Sequence, residues 1–311
     1  MRSGGSWRTF ALENFKREKM KTRTVELVAS PRAPHFVGDG FRVHNFIPSG
    51  FRLDIERMNP FILLDYNAKY HFPPADQPKG VGVHPHRGFE TVTIAYEGKV
   101  EHRDSSGGGG VIGKGDVQWM TAAHGVLHKE FHETEWSKKG GIFQMVQLWV
   151  NLPAKYKMSE PKYQALKNEE IQRFVLDSNQ GEIEVIAGNY QGVKGLASTF
   201  SPMEMYNAKL EKGAEVHISL PANYNTALLV LEGSITINNQ EQAPNDHLVL
   251  MANDGENFSI TADEKAIVLV LSGEPINEPI ATQGPFVMNT REELIQAFDD
   301  FKSGKFGTLE D

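Results

Sequence analysis

The stretch VHPHRGFETVTIAYEG, Val83 to Gly98, decides how the rest of the chain is read. His84 and His86 stand two residues apart, and in a strand such residues project to the same side. A second segment, GVLHKE from Gly125 to Glu130, sets His128 and Glu130 at the same spacing. Two such pairs facing each other make a pocket of three imidazoles and one carboxylate. That donor set suits iron, manganese, nickel, copper or zinc, and on an octahedral ion it leaves room for water or substrate. The pattern predicts a reactive metal site and not a structural clamp.

Outward from this stretch, the chain from Thr24 reads as many short strands punctuated by Gly, Pro, Asn and Asp, for example Phe41 to Asn45, Phe61 to Tyr66 and Thr91 to Tyr96. This favours an all-β sandwich or barrel over βαβ units. A repeat is visible on a Glu-Gly turn: TVTIAYEGKVEHRD at Glu97-Gly98 answers TALLVLEGSITINN at Glu232-Gly233, and Asp116 answers Asp246. Two such units imply two stacked barrels. Counting from these anchors sets Ser219 and Pro221 opposite His84 and His86, and Phe258 and Ile260 opposite His128 and Glu130. The second barrel is therefore expected to hold no metal, with His217 and His247 as ordinary histidines.

The expected divisions are an N-terminal extension over 1–22, with Met20 as a candidate start; a metal-bearing barrel over 23–150; a connector over 151–172; and a second barrel over 173–311. Thr290 and Glu293 form a capping-box pattern, followed by Leu294, Phe298 and Phe301 at helical spacing, so a short helix ends the chain and Gly304 stops it. The Gly107–Gly110 run reads as a hairpin loop, lacking the helix and Lys-Ser/Thr of a phosphate cradle.

A net charge of -8 with no basic cluster disfavours direct nucleic-acid binding. The absence of cysteine excludes disulfides, thiolate metal sites and thiol catalysis, and fits a reducing compartment. No apolar run approaches the roughly 18 residues of a membrane span, so a cytoplasmic protein is expected.

The segments HPHRGFETVTIAYEG, GDVQWMTAAHGVLHKE and GPFVMNTREELIQAF together resemble the pirins, a family of bicupin proteins, and the resemblance runs from about Arg23 to Phe306. It implies a bicupin fold of two jelly-roll-like barrels and one divalent metal held by His84, His86, His128 and Glu130. Iron is the expected ion, with nickel, manganese, zinc and copper as alternatives. Glu90 shares the parity of His84 and His86 and is the competing carboxylate; the pirin-like pattern takes Glu130 as ligand and leaves Glu90 to support a ligand imidazole from behind. Trp119 is a candidate pocket wall, whereas Phe89, Met120 and Phe143 read better as core. His102, His124 and His132 read as solvated or supporting histidines, and His124 departs from the pirin pattern near the expected pocket mouth. The resemblance further implies a quercetin 2,3-dioxygenase type of chemistry on a flavonol and dioxygen, with Glu130 as general base. The other implied role is a redox-responsive iron-binding partner of a transcription factor or metabolic enzyme. A monomer is expected, because two barrels in one chain cover each other.

Overall fold

The computed structural model describes residues 21–50 and 52–310, so the expectation for the N-terminal extension lies almost wholly outside the described residues. Two barrels are built to one plan. Each pairs a seven-stranded antiparallel sheet with a four-stranded one, and the strand orders correspond position by position. The strand Phe89–Glu97 sits third in the first large sheet, where Asn225–Glu232 sits in the second. The Glu-Gly turns seen in the sequence follow these two strands, with Gly98 and Gly233 at φ 88° and 75°.

The large sheets are buried on both faces. Along Phe89–Glu97, Val92, Ile94 and Tyr96 enter a core shared with Leu229, Leu231, Leu250 and Leu271 of the other barrel. Burying each such side chain contributes about 1.5–3 kcal/mol, which fixes the barrels against each other. The opposite parity faces the barrel interiors, and here the two halves diverge. The second interior is filled by Val216, Ile218, Val230, Phe258 and Ile260. The first carries buried Thr93, His102, Gln118, His128 and Glu130.

The expected domain boundaries need two amendments. Val25–Ala29 pairs with Leu248–Met251 and so completes the second barrel's sheet. Lys162–Leu166, within the expected connector, pairs with Val117–Thr121 and completes the first. The second barrel thus borrows its edge strand from the start of the chain, whereas the first takes its own from the segment that directly follows it.

The C-terminal helix, Arg291–Lys302, begins with the expected capping box, Thr290 Oγ1 accepting from Glu293 N and Glu293 Oε2 from Thr290 N. It folds back onto the first barrel. Asp300 forms a buried ion pair with Arg87 at 2.9 Å, and Phe306 O accepts from Ser105.

Candidate metal centre

The strand Gly80–His86 pairs antiparallel with Val126–His132, with His84 opposite His128 and His86 opposite Val126. Opposed residues share a face, so three imidazoles meet there. Their ring centroids lie 4.2 to 4.9 Å apart, and one nitrogen from each falls within 4.8 Å of the others. In each ring Nδ1 is engaged elsewhere. His84 Nδ1–H donates to Gly82 O at 2.8 Å, and His86 Nδ1–H to Pro285 O at 3.4 Å. His128 Nδ1 shares a 3.1 Å hydrogen bond with His102 Nε2. This leaves the Nε2 atoms for a ligand, and His128 Nε2 is buried with no partner among the described residues. An orphaned buried nitrogen costs about 1–3 kcal/mol, a cost that a metal ion would remove. Burial lowers the pKa of all three histidines, keeping them in the neutral form that binds metal. The residues therefore fit a divalent transition ion.

Glu130 stands beside this cluster but not within it. Its carboxylate accepts from Thr93 Oγ1 and Gln147 Nε2, each at 3.3 Å. Burial pushes its pKa up to about 7, partly opposed by the hydrogen bonds from Thr93 and Gln147. A cavity of about 350 Å³ opens over His84, His86 and Glu130, walled by Phe41, Leu63, Met145 and Trp149. A larger groove of about 770 Å³ lies on the outer face of the second barrel beside the exposed His217, away from the imidazole cluster.

The bend after His86 depends on Gly88. At φ 88° it occupies a conformation that side chains disfavour, and a Cβ there would lie 2.0 Å from Val287 O. The same bend invalidates counting parity from His86 to Glu90, because the chain passes from one sheet to another. Glu90 in fact points to the opposite face. Its Oε1 accepts from Thr121 at 2.8 Å, and among the described residues no hydrogen bond joins it to a ligand imidazole. Trp119 itself is fully buried in the core between the barrels, so it is not a wall of the cavity. Trp149 has that position, 5.2 Å from the His86 ring and 4.3 Å from Phe89. The alternation Met145, Gln147, Trp149 was the signal for it. His124 lies apart from the cavity lining, with Nε2 3.3 Å from Glu160 and its carbonyl accepting from Arg87. Among the nearby histidines, His102 is a buried support of His128, stacked on Tyr163 at 5.4 Å.

A pH prediction follows from Glu130. Below about pH 7 this group is protonated in the metal-free protein, so a cation arriving beside it must expel the proton. Apparent metal affinity is expected to rise about tenfold per pH unit up to about 7 and then flatten. Metal titrations across that range should show the break in the wild type and lose it in Glu130→Gln. An identical profile in the variant would show that Glu130 is not the coupled group.

Residues 40–150 match the pirin family model, and residues 205–307 match the model of the pirin C-terminal cupin domain. The crystal structure of a quercetin 2,3-dioxygenase from Acinetobacter baumannii superposes with a TM-score of 0.88 at 47% identity, covering 93% of this chain and 100% of that one. A Pseudomonas aeruginosa protein, provisionally named a quercetin 2,3-dioxygenase, is 46% identical over 272 residues, 88% of this chain and 94% of its own length. A pirin-like protein of Solanum lycopersicum is 37% identical over 273 residues, 87% of this chain and 88% of its own. With this coverage, and with the two-barrel fold and the three-histidine cluster in place, the chain belongs to the pirin family.

Proposed function

We propose that this protein is a metal-dependent dioxygenase that opens the heterocycle of flavonols, in the manner of a quercetin 2,3-dioxygenase. The observation that carries the reading is three neutral imidazoles, one with an orphaned Nε2, beside a carboxylate with a pKa near 7 at an apolar cavity. His84, His86 and His128 would hold the ion, with Glu130 as the carboxylate donor. Iron is the ion the family resemblance favours, and the nitrogen and oxygen donors suit nickel, manganese, zinc or copper as well. When bound, the ion supplies a Lewis-acidic position for the flavonol 3-hydroxyl and an electron path to dioxygen.

The remaining work falls to the chain. Glu130, beside the ion and the cavity, accepts the hydroxyl proton. Thr93 and Gln147 hold its carboxylate by hydrogen bonds. Trp149 offers a flat wall for a planar ring, flanked by the apolar side chains of Phe41, Leu63 and Met145.

The test is anaerobic loading with iron(II), elemental analysis, and oxygen uptake with quercetin beside His86→Ala and Glu130→Gln. One metal per chain, metal-dependent uptake and carbon monoxide release are expected in the wild type. Glu130→Gln is expected to lose about 100-fold or more in turnover. One bound metal with no uptake would overturn the dioxygenase reading in favour of a redox-responsive partner protein.

A further inference from the structure

We infer that Asp65 is a specificity-determining residue, reading a hydroxyl donor on the part of an aromatic ligand remote from the metal centre. The inference rests on the flavonol reading above and extends it to a second point of recognition.

Five polar residues stand in one register across five neighbouring strands. Gln118 is opposite Thr93, Thr93 opposite Gln147, Gln147 opposite Asp65, and Asp65 opposite Asn45. Opposed residues in antiparallel strands share a face, so the five form a belt across the inner wall. At about 4.8 Å per strand it spans roughly 19 Å. One end is buried and holds Glu130 through Thr93 and Gln147, with Gln118 buried beside them. The other end is half-buried, with Asp65 exposed to the cavity and Asn45 beyond it. Leu63 and Trp149 flank the belt on one side, Val43 and Met145 on the other, and all four line the cavity. A flat apolar ligand with hydroxyls along one edge matches this arrangement.

Asp65 is the member that selects. Asn45 Nδ2 donates to Oδ1 at 2.8 Å, and Oδ2 has no hydrogen-bond partner among the described residues. With Oδ1 already engaged by Asn45, Oδ2 is the acceptor left to a ligand, so the group it reads is a donor. Among the described residues, no lysine or arginine lines the cavity, and Glu130 is a second carboxylate. The lining therefore disfavours phosphates and carboxylates, and favours a neutral polyhydroxylated aromatic. One strand spacing separates Asp65 from Gln147, which itself bonds Glu130. A ligand whose chelating hydroxyl lies at Glu130 thus reaches Asp65 with a hydroxyl elsewhere on its ring system.

The experiment is equilibrium binding to the metal-loaded protein, followed by tryptophan fluorescence, of quercetin and of 3-hydroxyflavone, which keeps only the chelating hydroxyl. The wild type is expected to prefer quercetin by about tenfold or more, the value of one charge-assisted hydrogen bond. Asp65→Ala is expected to bring the ratio within about twofold of unity while 3-hydroxyflavone binds as before, which also certifies the fold. Asp65→Asn, which retains an acceptor oxygen, is expected to fall between the two. An unchanged ratio in Asp65→Ala overturns the Asp65 assignment alone. Failure of both flavonols to bind the wild type overturns the flavonol reading, and this inference with it.

Discussion

His128→Ala is expected to abolish stable metal binding. His128 is fully buried, its Nε2 has no other partner, and its ring lies within 4.6 Å of both other imidazoles, centroid to centroid. Removing one of three nitrogen donors should weaken affinity by on the order of a thousandfold, about 4 kcal/mol. The loss extends past the donor itself, because His102 Nε2 loses its partner and the buried pocket gains a void. After loading and dialysis, elemental analysis should find about one metal in the wild type and little in the variant. His217→Ala, on the exposed outer face of the second barrel, is the control. Near-stoichiometric metal in His128→Ala would overturn the three-histidine site.

Lys157→Met is expected to be the most damaging single change away from the imidazoles. Lys157 is buried, and its ammonium donates to Gly88 O at 2.7 Å, Asn151 Oδ1 at 2.6 Å and Val287 O at 3.0 Å. All three donors are used, and they join the connector, the bend after His86 and the C-terminal segment. Methionine preserves most of the volume but leaves three acceptors dry, which should cost about 3–5 kcal/mol of stability. The denaturation midpoint of the metal-free protein measures this. Metal affinity should fall too, since Val287 follows the Pro285 carbonyl that holds His86. A loss below about 1 kcal/mol would show that the three acceptors are satisfied without the lysine.

What the sequence disclosed was local, and what it hid was distant or bent. The alternation of His84 with His86 and of His128 with Glu130 needed only strand periodicity, and the Glu-Gly repeat exposed the two-barrel plan. Glu90 failed because its parity was counted through Arg87-Gly88, where the chain changes sheets. Trp119 and Trp149 both lie on strands of the large sheet, and nothing local tells which face looks into the first barrel and which toward the second. The support of His86 by Pro285, 199 residues away, is invisible to any periodicity. The edge strand Val25–Ala29 was legible as a strand, but its partners lie in the other half.

That last pairing bears on how the protein is made. Synthesis runs from the N-terminus, so Val25–Ala29 leaves the ribosome long before Leu248–Met251, the strand it completes. The first barrel is equally unfinished at residue 150, because its own edge arrives only with Lys162–Leu166. During that interval the apolar face later shared between the barrels stands uncovered, and an open sheet edge invites pairing with another chain. The strands of the first barrel, from His35–Val37 to Lys162–Leu166, are all made before the second barrel begins, whereas the second cannot complete its sheet without the strand made first of all. The segment that precedes the metal-bearing barrel must therefore wait, unpaired, until the far end of the chain emerges, and its docking is the step that ties the two halves together.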